Sequence, residues 1–205
     1  MYFLALTAGA QSCLMNRMEE SDATVVAQVL AGDRDAFRVV VERHSHNIFR
    51  LAFRMTGNEQ DAEDVVQETF LRAYRRLDRF ESRSSFSTWI YRIAVNCSLD
   101  VSRKRRHEEE SRVSPEPEAP DPVLSLPSTG PSADRLMISA VVREKVETTI
   151  KALTEKERAA FVLRHFEGLS IEEVARAMGL KVNAAKNNIF RAVQKLRRAL
   201  EPVVG

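Results

Sequence analysis

The chain has 205 residues, 44% of them hydrophobic with only seven glycines, enough for one or two modest helical domains with ordinary cores. Its formal net charge of +2 hides an asymmetry: residues 141–200 hold 13 Lys and Arg against 7 Glu, whereas residues 18–107 hold 15 basic against 14 acidic groups. Two cysteines, Cys13 and Cys97, exclude a disulfide framework or a cysteine zinc site, and a reducing cytoplasm is the default compartment.

The apolar start, Tyr2 to Ala10, is too short to span a bilayer and has no preceding Lys or Arg, so neither direct membrane insertion nor secretion is expected. Met15 and Met18 precede a charged, helix-starting stretch. Translation from one of them would leave residues 1–20 as a disordered extension.

Four helices are predicted over residues 21–107. The first runs from about Ala23 to Leu30, capped by Ser21 or Asp22 and stopped at Gly32, with Val25, Val26, Val29 and Leu30 as its stripe. The second, about Asp35 to Thr56, carries Phe37, Val40, Val41, Ile48, Leu51, Ala52 and Met55 and ends at Gly57. The third starts at the Asn58 cap and keeps helical spacing through Ala62, Val65, Val66, Thr69, Phe70, Ala73, Tyr74 and Leu77. Its acids crowd the first half and Arg72, Arg75, Arg76 and Arg79 the end, as the helix dipole favours. Gln67 and Glu68 beside Phe70 hint at a protein docking face, although Phe70 fits core packing equally. The fourth helix, about Ser87 to Arg106, follows a polar loop and buries Phe86, Trp89, Ile90, Ile93, Ala94 and Cys97. Trp89 reads first as a core anchor and second as a base-stacking platform. The run Arg103, Lys104, Arg105 and Arg106 exceeds what a helix C-terminus requires.

Six of the seven prolines fall in residues 108–135 among Glu, Ser and Asp, which marks an extended acidic linker able to span about 90 Å when stretched. Residues 136–205 form the second domain. There Ser170 and Glu173 make an S-x-x-E capping box, Gly179 stops the helix, and a basic helix follows from Asn183 to Leu200. This is a helix-turn-helix signature. Ile189, Val193, Leu196 and Leu200 are expected to face inward, leaving Lys186, Asn187, Asn188, Arg191, Lys195 and Arg198 for other faces. The basic excess around it suits phosphate neutralisation. No Gly-rich phosphate loop, nucleophile-base pair or metal-ligand cluster is present; His44, His46, His107 and His165 lack metal spacing. No catalytic residue, metal, cofactor or small-molecule substrate is therefore expected, and the chain reads as a non-enzyme.

Three strings in order, Asp61-Ala62-Glu63-Asp64-Val65-Val66-Gln67-Glu68-Thr69-Phe70, Phe86-Ser87-Thr88-Trp89-Ile90-Tyr91-Arg92-Ile93-Ala94-Val95-Asn96 and Leu169-Ser170-Ile171-Glu172-Glu173-Val174-Ala175, resemble the extracytoplasmic-function, or group 4, sigma factors of bacterial RNA polymerase. The resemblance implies an all-α fold: a four-helix sigma region 2 and a helix-turn-helix sigma region 4 on a flexible linker. It implies a transcription initiation factor that joins core RNA polymerase through the β′ clamp helices and β flap, reads promoter DNA and helps melt it, under control of an anti-sigma factor.

By that resemblance Asp61, Asp64, Gln67, Glu68 and Phe70 would meet the polymerase. Phe80, Ser82, Arg83, Ser84, Ser85, Trp89, Arg92 and Asn96 would hold a flipped base and its strand at the minus-ten element, with Arg103, Lys104, Arg105 and Arg106 on phosphates. Ser170, Asn183, Lys186, Asn187, Asn188, Arg191 and Lys195 would serve the minus-thirty-five element. The family's usual recognition-helix start, close to Gly-Thr-Val-Lys/Arg-Ser-Arg, is replaced here by Asn183-Ala184-Ala185-Lys186-Asn187-Asn188, and such asparagines suit adenine. The linker acids, among them Glu108, Glu110, Glu116, Glu118 and Asp121, would imitate nucleic-acid phosphates in the polymerase cleft or serve as a plain spacer. Two other classes remain open from the residues alone: a DNA-binding regulator independent of polymerase, and a decoy for an anti-sigma protein.

Overall fold

A computed structural model describes residues 20–81, 84–111 and 145–204. All regular structure among these residues is helical. The expected N-terminal extension, most of the linker, and residues 136–144 lie outside the described residues.

Helix α1 (Asp22–Leu30) starts where the Ser21 hydroxyl accepts from the Thr24 amide at 3.2 Å, which supplies one of the hydrogen bonds the first turn lacks. A 3₁₀ turn, Arg34–Ala36, leads into α2 (Phe37–Thr56). Gly57, with φ +74°, ends α2 in the left-handed region, where a side chain would be strained. The Asn58 side chain then accepts from the Asp61 amide at 2.9 Å and opens α3 (Glu59–Arg75). After the 3₁₀ turn Leu77–Arg79 comes α4 (Phe86–Ser111), fastened at its start by the Ser85 hydroxyl on the Thr88 amide at 3.2 Å. Helix α4 thus runs past residue 107, and the first residues assigned to the linker are helical.

Helices α2, α3 and α4 pack on one another around Ile48, Leu51, Met55, Val65, Ala73, Ile90 and Val95. Phe70 joins this interior, 7% exposed and edge-on to Phe37.

Residues 145–152 are helical, and α5 (Glu155–His165) follows with a capping box in which Thr154 and Glu157 exchange hydrogen bonds. Helix α6 (Ile171–Met178) repeats the device with Ser170 and Glu173. It closes at Gly179, φ +63°, with the Leu180 amide donating back to the Ala175 carbonyl at 2.9 Å. Helix α7 (Val182–Val204) crosses both.

The inward stripe of α7 is Ala185, Ile189, Ala192 and Leu196, spaced four, three and four residues apart. Val193 is on the solvent side, contrary to the expected stripe, and Phe190 stands 61% exposed. The small alanines let α7 sit close to α5 and α6, and that approach sets the rotation of the helix.

Linked domains able to occupy separate surfaces were expected from the linker. Here the two are packed together: α4 lies against α6 and α2 against α5, and one apolar cluster runs through both.

Candidate nucleic-acid interface

Helix α3 turns Asp64 and Gln67 to solvent. Glu68 instead receives the Arg72 guanidinium at 2.6 Å, and Arg72 also reaches Asp100 of α4 at 3.1 Å. These two carboxylates raise the Arg72 pKa. Asp61 meets Arg105 at 3.4 Å, which ties the start of α3 to the end of α4. Phe70 takes the core place that was its alternative reading, and the exposed apolar groups on this side are Leu71 and Tyr74, 51% and 41% exposed. Helical spacing already puts Phe70 in the apolar stripe; the surface role comes from the resemblance.

Ser85, just before α4, and Trp89, Arg92 and Asn96 on it recur at intervals of four, three and four residues and form one ridge. Trp89 is half-buried, held in a cage with Phe80 at 5.5 Å and Phe86 at 5.4 Å between ring centres. It is both anchor and surface. Arg92 and Asn96 are exposed. Ser84 is half-buried beside them, while Ser82 and Arg83 lie outside the described residues. At the cationic end each base has an acid in reach: Arg103 with Asp100 at 3.6 Å, Lys104 with Glu108 at 3.8 Å, Arg105 with Asp61, and Arg106 with Glu155 of the second domain at 3.8 Å. Most of these are exposed pairs that water and salt weaken, so the guanidinium groups remain able to exchange onto phosphate.

On α7, Asn183, Lys186, Asn187 and Arg191 are exposed on its N-terminal half. Asn188 directs its amide NH₂ to the Ala184 carbonyl at 3.0 Å, leaving the side-chain oxygen as its outward group. Lys195 donates to the buried Glu157 carboxylate at 2.6 Å. Burial pushes the Glu157 pKa up, but the Lys195 ammonium and the Thr154 cap outweigh it, and the net shift is downward. Lys195 therefore has a structural partner that sequence spacing did not suggest. Ser170 is spent on its cap; its amide and hydroxyl hold the Glu173 carboxyl below the usual range.

Where α4 meets α6, a cavity of about 290 Å³ opens between Trp89, Arg92, Ser84 and Thr88 on one side and Ala175, Arg176, Gly179 and Leu180 on the other. The seam beside it is polar. The Tyr91 hydroxyl donates to Glu167 at 2.8 Å, and burial followed by that carboxylate raises the Tyr91 pKa. Arg54 lies 3.7 Å from the other Glu167 oxygen and 4.1 Å over the Phe166 ring. Arg158 donates to the Met55 carbonyl at 2.6 Å, and Thr88 to Glu173 at 3.4 Å. Sequence reading missed this set. Only the Thr154-x-x-Glu157 box had a visible signal, the same spacing as Ser170 and Glu173.

Among the described residues no group of three or more His, Cys, Asp or Glu could hold a metal ion, and no helix is long and apolar enough to cross a membrane.

Residues 40–108 match the family Sigma-70 region 2, and residues 143–196 match Sigma-70, region 4. The chain is 36% identical over 188 residues to the RNA polymerase sigma-H factor of Pseudomonas aeruginosa, covering 91% of this chain and 97% of that protein. It is 36% identical over 186 residues to the ECF RNA polymerase sigma-E factor of Escherichia coli K12, covering 90% and 96%. Among solved structures it resembles CnrH, seen in complex with the cytosolic domain of CnrY, at 29% identity and a TM-score of 0.63, covering 89% of this chain and 99% of that one. It shares its fold with the sigma factor RpoE of Bartonella quintana, solved with the anti-sigma factor NepR, at 24% identity and a TM-score of 0.64 over 80% and 96%.

Proposed function

The chain belongs to the extracytoplasmic-function branch of the sigma-70 family, and on that premise we propose how its surfaces divide the work. The protein is a transcription initiation factor: it joins core RNA polymerase, directs it to promoters and assists their opening. Members of this family are regulatory initiation factors, so bond making is left to the polymerase and the chain itself supplies recognition. Its place of work is that of the polymerase, the cytoplasm.

The outer side of α3 is assigned to the polymerase clamp. Asp64 and Gln67 are free of side-chain bridges in their own helix turn, and with Leu71 and Tyr74 they offer an apolar centre with an acidic rim to a basic partner. Asp61 holds the helix to α4 through Arg105, and Glu68 holds the Arg72 side chain that reaches Asp100 of α4, so both support this face from behind.

The ridge of α4 is assigned to the minus-ten strand. Taking a base out of the stack costs a few kcal/mol, so the strand must be captured as it opens. Trp89 offers a ring already immobilised by Phe80 and Phe86, Asn96 offers both a donor and an acceptor to a base edge, and Arg92 offers charge to the backbone. The observation that carries this reading is their alignment on one face. Lys186, Asn187 and Arg191 at the start of α7 are assigned to the major groove of the minus-thirty-five element. An anti-sigma protein is the regulator the family implies. The likeness to CnrH bound to the cytosolic domain of CnrY supports a protein partner of that kind.

Run-off transcription with purified core enzyme and a genomic fragment library is the test. Initiation from a limited set of fragments that requires this chain is the expected result; initiation without fragment preference overturns the reading. Asp64→Arg with Gln67→Arg should weaken capture of core enzyme by about tenfold or more, at unchanged thermal stability.

A further inference from the structure

Lys186, Asn187 and Arg191 stand exposed on the N-terminal half of α7, while its inward stripe of Ala185, Ile189, Ala192 and Leu196 meets α5 and α6. On α5 the buried positions include Ala159 and Ala160. Alanines let helices approach closely, but they raise no tall ridges to lock the rotation of one helix against another. A rotation of α7 by about 20° would carry a side-chain end at a radius of about 6 Å through about 2 Å, more than a hydrogen bond to a base edge tolerates. A directional bond is needed to fix that rotation.

Lys195 supplies one. It lies four residues beyond Arg191 on the same flank of α7, and its ammonium donates to Glu157 Oε2 at 2.6 Å. The same oxygen accepts from the Thr154 amide at 3.1 Å, so one carboxylate joins α7 to the first turn of α5. Glu157 is 5% exposed. For Lys195 to reach a phosphate it would have to leave this buried carboxylate without its cation, a loss that an exposed contact does not return. The exposed pairs Arg103–Asp100 and Lys104–Glu108 on α4 carry no such penalty.

We propose that Glu157 and Lys195 are positioning residues for promoter reading: the pair fixes the rotation of α7 on α5 and thereby the register of Lys186, Asn187 and Arg191 against the bases, while Lys195 itself neutralises no phosphate. Lys195 thus leaves the DNA-contacting set that the family resemblance gives it and joins the frame that aims that set. This rests on the assignment of α7 to the major groove of the minus-thirty-five element. Loss of the pair changes which sequence is preferred more than how tightly DNA is held.

The test uses holoenzyme assembled from core enzyme and the full chain, a duplex recovered from the run-off library, and the same duplex with single base-pair changes through its upstream element. Two quantities are read: the affinity ratio of parent to altered duplex, and the slope of log affinity against log salt. Lys195→Met should lower the ratio about fivefold or more at the best-discriminated position, with the slope unchanged. Glu157→Gln keeps the Thr154 cap and a neutral acceptor for Lys195, so it should lower the ratio less, and the two changes together no further than Lys195→Met alone. Lys195→Arg, which can still bond the carboxylate, should keep the parent ratio.

A uniform loss of affinity for parent and altered duplexes, with the slope smaller by about one, makes Lys195 a phosphate contact and overturns the proposal. An unchanged ratio in Lys195→Met overturns it too, as does a ratio lowered equally in Lys195→Arg. Melting followed by circular dichroism shows which variants are folded at the assay temperature. Were Lys195→Met not among them, a lowered ratio in Glu157→Gln beside a retained one in Lys195→Arg decides for the pair, and an unchanged ratio in Glu157→Gln decides against it. If the unmodified holoenzyme initiates at its start site yet shows no preference at any upstream base pair, the assignment of α7 fails first and the positioning role with it.

Discussion

The two domains are built on different interiors. The first buries large side chains completely, with Ile48, Leu51, Met55 and Ile90 at its centre and valines 25, 39, 40, 65 and 95 around them. The second is richer in alanine, with Ala159, Ala160, Ala175, Ala177, Ala185 and Ala192 buried beside Ile150, Leu153, Val162, Leu163, Leu169, Val174 and Leu196. An alanine removes little apolar surface from water but lets helix backbones approach closely. The first domain is therefore stabilised chiefly by apolar volume. The second gains close crossing angles for its helix-turn-helix and draws more on helix ends and ion pairs, since helices of 11 and 8 residues are marginal alone.

The largest effect should come from emptying the first interior. Leu51→Ala removes a fully buried side chain from the contact of α2 with its neighbours and should cost about 2–5 kcal/mol in urea unfolding. The reverse change tests the second interior. Ala160→Leu forces extra volume into a fully buried site on α5 and should cost about 1–3 kcal/mol. A stability equal to the unmodified chain would show that the alanines are not close-packed, and the contrast between the domains would fall.

The same contrast explains what could be read from sequence. Signals that act within about four residues were legible: the caps Ser21, Asn58 and Ser170 and the stops Gly57 and Gly179 stand where the spacing put them. The three motif strings carried the family, and the family carried the two-domain helical fold. Illegible were partners distant along the chain. Tyr91 and Glu167 are 76 residues apart, Lys195 and Glu157 are 38 apart, and neither pair leaves a periodic trace. Val193 turned outward because amphipathic spacing defines a stripe about 100° wide, and residues at its margins are decided by the neighbour's shape; Phe70 kept the inward place its spacing gave it. The docking of α6 on α4 is likewise a property of two surfaces, and the proline-rich segment between them suggested the opposite.

A smaller effect is expected at the helix ends. Ser170→Ala removes the hydroxyl that accepts from the Glu173 amide and should cost about 1 kcal/mol, read as loss of amide protection in α6. Ser21→Ala on α1 removes an equivalent bond, yet α1 also buries Val25 and Val26 on the large core. Protection there should fall less. Equal losses in α1 and α6 would mean that end effects weigh the same in both domains.

The smallest expected difference is in acid. Glu173 and Glu157 both have folded pKa values below the ordinary range: Glu173 through the Ser170 amide and hydroxyl, Glu157 through Lys195 and the Thr154 cap against the opposing effect of burial. A depressed carboxyl contributes stability that is fully present above the unfolded value of about 4.3 and is lost as pH falls through the lower folded value. Protection of α5 and α6 in peptide-resolved hydrogen exchange should therefore hold from neutrality to about pH 5 and decline below about pH 4. Asp22 gives the first domain a similar dependence at α1, lowered by His44 and then, against burial, by Arg43, but the Leu51 core does not titrate. Ser170→Ala brings the Glu173 pKa back toward its unfolded value, so its deficit in α6 should narrow as the pH drops. A deficit that stays constant from pH 7 to pH 3 would assign the cap's contribution to the hydroxyl bond alone, with no share from the charge on Glu173.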